Sequence, residues 1–430
     1  MRNTRQPAHR RFRIRAALLA GCVMLASSGA AMAGGFALRE QSAAGLGLSF
    51  AGVAAGGGGL SAGYWNPAII TGFGGFTTAS SYTAIAPYAN ITADPATPTW
   101  ALGPGRDIGL SGVLASSVAA YQINDRVWIG VSAGAPFGLS TKSDYTWSGQ
   151  VYGRTSRVLG MSVSPMIAVK ATDWLSLGVG VTAQYMDVRL TQAAGVAPAA
   201  TGVALDADGW GVGYMLGATI TPGPNTTIGI GFRSAVHQDV TGSATGPFIP
   251  GAGPLSLKAK APLNTPEVLT VGVRQKLNEQ WTVLAGFEWT NWSRLGYVPV
   301  RINGVVSEAL PFAYKDGYMA SAGVEYAWSP QLTLRAGLGY EWSPVSNRVR
   351  DVRLPDTNRL SASVGLGWRL NDALSLDVSY AHLFGEPASI RIVPGHPQYV
   401  GLPWVGSAKA HVDIVSLGVN YRFGTPASIF

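Results

Sequence analysis

Residues 175–185 read Leu-Ser-Leu-Gly-Val-Gly-Val-Thr-Ala-Gln-Tyr, with apolar residues at the odd positions and small or polar residues at the even positions. A period of two puts alternate side chains on opposite faces of a β-strand. The same alternation recurs in eight further windows: 227–233, 269–274, 281–289, 318–328, 332–342, 360–370, 374–380 and 415–423. The sequence therefore predicts an all-β protein.

The distribution of charge indicates which face of these strands contacts lipid and which faces a polar lumen. The apolar phase of the windows carries no charge, whereas the other phase carries Arg233, Arg274, Glu288, Glu325, Arg335, Glu341, Arg369, Asp377 and Arg422. An arginine facing lipid near the midplane of a barrel costs about 2–4 kcal/mol. A soluble β-sandwich would carry many lysines on its outer faces, and lysine is scarce in these windows. We expect the apolar phase to face hydrocarbon and the polar phase to line a lumen.

The connections between strands are short at one end and long at the other. Six short polar connections fall at 123–126, 171–173, 221–225, 277–280, 329–331 and 371–373. With a first strand near 72–86 and a closing strand near 409–423, they predict a 14-stranded antiparallel transmembrane β-barrel of the outer-membrane type. Tryptophans beside the short connections, at Trp128, Trp174, Trp281 and Trp328, are typical of an interfacial girdle.

Composition agrees with a membrane barrel. Of 430 residues, 47% are hydrophobic, 13% are charged and 56 are glycine. Six of the 31 Lys and Arg residues lie within 1–33, a segment without acids, and the other 25 face 23 acids, so we expect no nucleic-acid partner. The chain lacks a later run of 18 strongly apolar residues, which excludes a helical membrane protein.

Residues 1–33 have the features of a secretory signal peptide. Arginines precede an apolar stretch at 16–26, and Ala31-Met32-Ala33 precedes the predicted cleavage before Gly34. Leu19-Ala20-Gly21-Cys22 offers a lipoprotein-type alternative, although only six apolar residues separate Arg15 from Cys22. Cleavage before Gly34 would remove the only cysteine.

Residues 34–70 do not alternate and are rich in glycine and alanine. We interpret them as an N-terminal hatch that plugs the lumen of a barrel formed by 71–423, followed by a tail at 424–430.

Several motifs resemble those of one family. They are Gly35-Phe36-Ala37-Leu38-Arg39-Glu40-Gln41-Ser42-Ala43, Tyr64-Trp65-Asn66-Pro67-Ala68, Ala135-Pro136-Phe137-Gly138-Leu139, Thr265-Pro266-Glu267, Glu288-Trp289-Thr290-Asn291-Trp292-Ser293 and Leu354-Pro355-Asp356. In this order they resemble the FadL-type long-chain fatty acid transporters of Gram-negative outer membranes (OmpP1/FadL/TodX). The resemblance covers roughly residues 34–423.

The resemblance implies a 14-stranded barrel with an N-terminal hatch, capture of substrate among extracellular loops and lateral exit through the wall. It places Phe36 against an inner pocket, where we also expect Leu38, and it places Asn66, Pro67 and Ala68 beside the gap. The acidic residues usual in the middle of the hatch are replaced by Gly56–Gly59, which puts charge-driven switching of the hatch in doubt.

The residues themselves suggest three further sites. Gly134, Pro136 and Gly138 fall together toward the outer end of the third strand, where proline removes a donor and glycine permits a bend. We predict that pairing with a neighbouring strand breaks there, and ordinary termination of the strand is the alternative. Apolar loop residues at 193–205 and at Phe248, Ile249 and Leu255 are candidates for capture. Arg157 and Lys315, with Arg154, are candidates for binding a carboxylate headgroup, against the alternative of ordinary charge balance. We expect the lumen-phase Glu288, Glu325, Arg335 and Glu341 to form a structural charge network.

The sequence thus predicts an outer-membrane protein that takes up long-chain fatty acids or similar hydrophobic compounds by facilitated diffusion. Uptake of aromatic hydrocarbons and a general porin are the alternatives. We expect no catalysis, because His237, His382, His396 and His411 lie in no catalytic motif, and we expect no cofactor or metal. We expect the subunit to act alone among outer-membrane lipid and lipopolysaccharide.

Overall fold

The computed structural model describes residues 34–249 and 253–423. The predicted signal peptide at 1–33 and the predicted tail at 424–430 lie outside the described residues. Within the described ranges, no helix is both long and apolar enough to cross a membrane.

The described chain forms twenty β-strands. In order they are β1 (Phe76–Ala93), β2 (Arg106–Asp107), β3 (Gly112–Gln122), β4 (Val127–Lys142), β5 (Thr155–Lys170), β6 (Leu175–Ala193), β7 (Gly202–Gly223), β8 (Thr226–Arg233), β9 (His237–Ile249), β10 (Gly253–Asn264), β11 (Val268–Lys276), β12 (Trp281–Thr290), β13 (Tyr297–Ile302), β14 (Val305–Pro311), β15 (Gly317–Ala327), β16 (Leu332–Trp342), β17 (Arg359–Arg369), β18 (Leu374–Gly385), β19 (Ala388–Ile392) and β20 (Trp404–Phe423).

Fourteen of these strands close into an antiparallel barrel. The ring runs β1, β3, β4, β5, β6, β7, β8, β11, β12, β15, β16, β17, β18 and β20, and β20 pairs with β1 from Phe423 opposite Phe76 to Gly406 opposite Ala93. The six short connections predicted from the sequence each join two neighbouring strands of this ring. The predicted 14-stranded barrel is confirmed.

The two phases of the strands point as predicted. In β6, Leu177, Val179 and Val181 are 42%, 49% and 56% exposed, whereas Ser176 and Thr182 are buried. The corresponding phase is exposed in β16, β17, β18 and β20, at Leu338, Val364, Val378 and Val415. The apolar phase therefore covers the outer wall, and the small and polar phase lines the lumen.

Trp128 departs from the predicted aromatic girdle. Trp174, Trp281 and Trp328 are exposed, but Trp128 is buried and its indole N–H donates to the Phe73 carbonyl at 2.8 Å. The girdle prediction is wrong at this position, because the inward side offers the ring both packing and an acceptor.

Two hairpins extend the sheet beyond the barrel at the end with the long connections. β9 pairs with β10 and with the far part of β7, and β13 pairs with β10 and β14. Phe248, Ile249 and Leu255, predicted to lie in a loop, therefore belong to the paired strands β9 and β10. The prediction is wrong because β7 projects past β8 and offers an unpaired edge, which β9 covers.

Residues 34–73, which we call the inner segment, contact the barrel strands on all sides. The segment comprises a short helix, α1 (Ala43–Leu46), and 3-10 helices at Val53–Ala55, Gly59–Tyr64 and Pro67–Gly72. α1 contacts β17, β18 and β20, the Val53–Ala55 turn contacts β8 and β11, and the Pro67–Gly72 helix contacts β5, β6 and β7. Contacts with strands all around the ring place the segment within the lumen.

Glycine on the lumen side of the strands allows this close approach. A Cβ at Gly229 would lie far inside contact distance of the Ala54 carbonyl oxygen, and one at Gly337 would collide with the Leu48 backbone. The high glycine content of the chain thus makes room for a second layer of backbone inside the wall.

Candidate functional site

The barrel wall is open between β3 and β4. Their described pairing runs from Gln122 opposite Trp128 to Ser117 opposite Ala133 and ends there, although β3 continues along β1 as far as Gly112. On its other side, β4 shifts register against β5 between Gly134 and Phe137. The pairing break predicted at Gly134, Pro136 and Gly138 is present, and the proline at its centre has no N–H to offer β3.

The start of the inner segment takes the place of β3 at this opening. The Leu38 N–H donates to the Pro136 carbonyl at 2.8 Å, and the Gly138 N–H donates to the Phe36 carbonyl at 2.9 Å. Between these two bonds, Ala37 lies directly opposite Phe137 in an antiparallel bridge. A few residues of the inner segment therefore supply the backbone partners that β3 does not.

Gln41 completes the closure. Its side-chain amide donates to the Ala135 carbonyl at 2.7 Å, and its backbone carbonyl accepts a hydrogen bond from the Ser116 hydroxyl at 2.7 Å. The residue thereby joins β4 to β3 across the opening. We call residues 36–41 the stopper.

The Phe36 ring lies in a close-packed cluster of apolar side chains next to the opening, which we call the apolar chamber. It is 3% exposed, and its centroid lies 4.7 Å from that of Trp292 and 5.7 Å from that of Phe137, both edge to face. The chamber is completed by Leu139, Met186, Ala207, Val240, Ala261, Leu263, Leu295, Val298, Val300 and Leu354. The two hairpins supply much of this lining, so they form its roof.

Buried charges anchor the stopper and the residue before it. The Gly35 N–H, directly before the stopper, donates to Asp356 Oδ2 at 3.0 Å. Arg39 binds Glu288 at 2.7 Å and Glu341 at 2.6 Å. Removing one partner of such a buried pair costs about 3–5 kcal/mol. Arg39 is therefore the firmest attachment of the stopper.

The predicted lumen charge network is present in two parts. Glu288 and Glu341 bind Arg39, and Glu341 also lies 3.0 Å from Arg359. A separate chain links Arg274, Glu325, Arg335 and Asp377.

A small cavity lies beside the stopper on the lumen side. Its free volume is about 50 Å³, and its lining includes Leu38, Pro136, Gln184, Arg233 and Glu288. Since one water needs roughly 10–15 Å³ of such space, the cavity has room for a few waters but not for a long acyl chain. A larger ligand would fit here only after a movement of the residues that line the cavity, among them Leu38 and Arg39 of the stopper.

The structure brings together five of the predicted site residues. Phe36, Leu38, Gly134, Pro136 and Gly138 meet at the opening, where a Cβ at Gly138 would lie 2.6 Å from the Leu38 side chain. A glycine at position 138 therefore leaves room for the Leu38 side chain against the barrel wall.

The predicted headgroup cations do not reach this site. Arg157 belongs to the outward phase of β5 and pairs with Asp187 at 2.6 Å, and Lys315 is exposed in the connection before β15. Arg154 is buried elsewhere, where it stacks over Tyr145. Neither Arg157 nor Lys315 lies at the opening, and their role in binding a headgroup stays a prediction.

The expected place of Asn66, Pro67 and Ala68 also needs correction. The Asn66 amide donates to the carbonyls of Ala54 at 2.7 Å and Ala218 at 2.9 Å, and Ala68 lies against Gly178. The triplet therefore holds the inner segment against β6 and β7, rather than bordering the opening at β4. The side-chain oxygen of Asn66 also caps the Pro67–Gly72 helix by accepting the Ala68 N–H at 3.0 Å.

The predicted capture residues are described only in part. Leu255 is 39% exposed on β10. The side chains of Phe248 and Ile249 lie outside the described part of the structure, so capture at this hairpin stays a prediction.

Sequence reasoning missed Trp292 and Arg39 as site residues. Trp292 belongs to the quoted motif Glu288-Trp289-Thr290-Asn291-Trp292-Ser293, and Arg39 and Glu40 are the only charged residues in the predicted hatch at 34–70. A lone charge pair within an apolar, glycine-rich segment was the available signal. Among the described residues, no group of His, Cys, Asp or Glu could hold a metal ion.

A family model described as "Outer membrane protein transport protein (OMPP1/FadL/TodX)" matches residues 24–423. The chain belongs to this family. Like other OMPP1/FadL/TodX proteins it is an outer-membrane β-barrel, as the sequence predicted.

Curated relatives of this family member are similar along most of their length. Outer membrane protein P1 of Haemophilus influenzae is 24% identical over 94% of this chain and 98% of its own. The long-chain fatty acid transport protein of Escherichia coli K12 is 24% identical over 87% of this chain and 93% of its own.

Solved structures of the family share the fold. A FadL homologue from Pseudomonas aeruginosa superposes with a TM-score of 0.82 at 22% identity, covering 90% of this chain and 99% of its own. The toluene transporter TbuX from Ralstonia pickettii gives a TM-score of 0.65 at 19% identity, covering 89% and 100%.

Proposed function

We propose that this outer-membrane protein takes up long-chain fatty acids or similar hydrophobic molecules by facilitated diffusion, and that they leave sideways through the opening between β3 and β4. The observation that carries the proposal is Phe36 buried in an apolar chamber, one residue away from the backbone that closes the opening. The curated relative named as a long-chain fatty acid transport protein supports the substrate class.

The proposed cycle begins when an acyl chain enters the apolar chamber and displaces the Phe36 ring. Losing the burial of one phenylalanine costs about 2–3 kcal/mol, and each of the two backbone hydrogen bonds that follow costs about 1 kcal/mol. A dozen methylenes leaving water gain on the order of 10 kcal/mol. The substrate can therefore free residues 36–38 and still bind.

Arg39 limits how much of the stopper moves. Breaking its ion pairs with Glu288 and Glu341 would cost a further 3–5 kcal/mol or so, which would consume most of the remaining gain. Residues 36–38 therefore swing away from β4 while Arg39 stays in place as a pivot. The opening closes again when the substrate has left the chamber.

Uptake of aromatic hydrocarbons is the second candidate, and two observations favour it. Phe36, Phe137 and Trp292 give the chamber aromatic walls, and TbuX, which shares this fold, is described as a toluene transporter. Both functions need the same opening. We propose further that the protein acts as a single subunit without catalysis, surrounded by lipopolysaccharide.

A reversible lock tests lateral exit. Ala37 and Phe137 lie directly opposite each other, in the type of pair that lacks direct hydrogen bonds and has Cα atoms about 4.5 Å apart. A double variant, Ala37→Cys with Phe137→Cys, can therefore form a disulfide that fixes the stopper to β4. In cells lacking another transporter, we expect uptake of radiolabelled oleate and of toluene to stop under oxidation and to return with reductant.

Each single-cysteine variant serves as the control, because it carries the same loss of side chain without the lock. Uptake at the single-variant rate by the fully oxidised double variant would contradict lateral exit. A liposome-swelling assay with small sugars separates this function from that of a general porin, which would pass them.

A further inference from the structure

The hairpins that roof the apolar chamber carry a patch of positive charge on their outward face. Lys260 on β10 lies directly opposite Arg301 on β13, and Lys258 precedes Lys260 by two residues on the same face of the strand. All three residues are exposed. The alternate residue Ala261 is buried and belongs to the apolar chamber, so the cations point away from the chamber. We call Lys258, Lys260 and Arg301 the basic patch.

The basic patch contains a repulsive pair. Side chains directly opposite each other on neighbouring strands have Cβ atoms about 4.5–5.5 Å apart, and like charges at such positions are destabilising. Asp239 binds Lys260, with 2.9 Å between Oδ2 and Nζ. No described carboxylate lies within ion-pair distance of Lys258 or Arg301. Two of the three cations are therefore unbalanced, and an external anion would relieve the repulsion.

The acids of the neighbouring strand β7 do not neutralise the basic patch. Asp206 binds Arg189 at 2.7 Å. Asp208 shares a row of the sheet with Lys260, but β9 lies between them. Two strand spacings amount to about 10 Å, which is too far for an ion pair. The charge of the patch therefore faces the surroundings of the protein.

Exposed aromatic residues on either side place the patch just beyond the bilayer interface. Trp210 on β7 and Tyr297 on β13 are 69% and 63% exposed on the outward face. Trp210 lies two residues, or about 7 Å, nearer the short connections than the row that contains Lys260. Tyr297 precedes Arg301 by four residues, or about 13 Å, along β13. Exposed aromatic residues of membrane barrels concentrate at the interfaces, so the cations lie at the level of the lipid headgroups.

We propose that the basic patch binds the phosphate groups of lipopolysaccharide. Phosphate accepts charge-assisted hydrogen bonds from both arginine and lysine. An amphiphile fits better than a soluble anion, because the same outward face continues into the exposed apolar side chains of Trp210 and Val212. The patch lies at the end with the long connections, which faces the outer leaflet, and lipopolysaccharide is the lipid that carries several phosphates there. Several phosphates match cations spread over two strands.

The proposed lipid is a resident of the membrane and not a transported substrate, so the inference goes beyond the proposed function. β10 carries the basic patch on one face and part of the chamber lining on the other. A lipopolysaccharide molecule on the patch would therefore hold the roof of the chamber against the surface of the outer leaflet.

Titration of the purified full-length protein in detergent, followed by native mass spectrometry, tests the site. The probes are diphosphoryl lipid A and the same lipid with both phosphates removed. We expect the wild-type protein to bind the diphosphoryl form at least about tenfold more tightly. The triple variant Lys258→Gln, Lys260→Gln and Arg301→Gln should lose this preference and bind the dephosphorylated form within about twofold of wild type. The double variant Lys258→Arg with Lys260→Arg, which keeps the charge, should keep the preference.

A second triple variant is the matched control. Arg126→Gln, Lys276→Gln and Arg369→Gln remove the same charge from exposed positions near the short connections, and this protein should bind both probes as wild type does. Retention of the folded band on unheated gels shows that each variant forms its barrel.

Three results would overturn the site. The first is equal binding of the two forms of lipid A by the wild-type protein. The second is an equal loss of preference in both triple variants, since net charge alone would then explain it. The third is binding of phosphatidylglycerol as tightly as diphosphoryl lipid A, which would make the occupant an ordinary phospholipid. Each of these results leaves the proposed uptake function untouched, because that function is measured with oleate and toluene.

Discussion

Phe36 is buried at the place where the proposed mechanism puts the substrate. Burial of its ring stabilises the closed state, and that stabilisation is lost when a ligand displaces the ring. We predict that Phe36→Ala binds dodecan-1-ol roughly tenfold or more tightly, because the ligand no longer displaces a phenylalanine ring worth about 2 kcal/mol. Titration of the purified variant measures this. Phe76→Ala, at the other end of the barrel, should change nothing, and weaker binding by Phe36→Ala would contradict the displacement mechanism.

At Gly229 the absence of a Cβ atom allows the backbone of the inner segment to pack directly against the barrel wall. A side chain here would strike the Ala54 carbonyl, and β8 cannot move outward without breaking its pairing with β7 and β11. We predict that Gly229→Ala pushes the inner segment off the wall and raises single-channel conductance in a planar bilayer. Gly223→Ala meets nothing within 4 Å and should behave as wild type. Equal conductance of the two variants would refute the close-packing account.

Among the elements, the connection between β19 and β20 carries a pH-sensitive residue. Burial lowers the pKa of His396, and nearby Asp351 opposes that effect only in part. The neutral ring accepts the Gln398 N–H at 3.1 Å. A base with a lowered pKa stabilises the folded loop above its unfolded pKa of about 6.5, and that contribution is lost as the pH falls toward the folded value.

We therefore predict that residues 393–403 exchange amide hydrogens faster at pH 5 than at pH 7.5, after correction for the intrinsic rates. His396→Asn should show the same protection at both pH values. The β6–β7 pair serves as an internal reference, and acceleration there as well would indicate general loosening instead of a local effect.

At the scale of the whole molecule, the barrel closes through β1 and β20 without help from the inner segment. We predict that deletion of residues 36–64 leaves a heat-modifiable barrel but opens a wide pore, because most of the buried material in the lumen is removed. Swelling of liposomes in small sugars measures the pore. A deletion variant that stays impermeable would show that the extracellular hairpins, and not the inner segment, close the channel.

Strand number, strand direction and the break at Gly134, Pro136 and Gly138 could all be predicted from the sequence. Each depends on local chemistry: a period of two, the high cost of a charge in lipid, and a proline without an N–H. Phe36 and Leu38 were identified only through the family resemblance, which also misplaced the triplet at 66–68, and local composition did not show that Arg157 and Lys315 lie away from the opening. The local sequence around a residue does not show which distant strand that residue will contact.

What only the folded chain reveals is the pairing of distant backbone. Ala37 meets Phe137 and Gln184 shares a row with Gln238 because barrel closure brings separate strands side by side. Trp128 turns inward because the inner segment presents a carbonyl to it. Periodicity is a property of neighbours along the chain, so it determines the strands of the barrel wall and which of their faces points outward. The contents of the lumen depend on contacts between residues some fifty to a hundred or more positions apart, which no local pattern encodes.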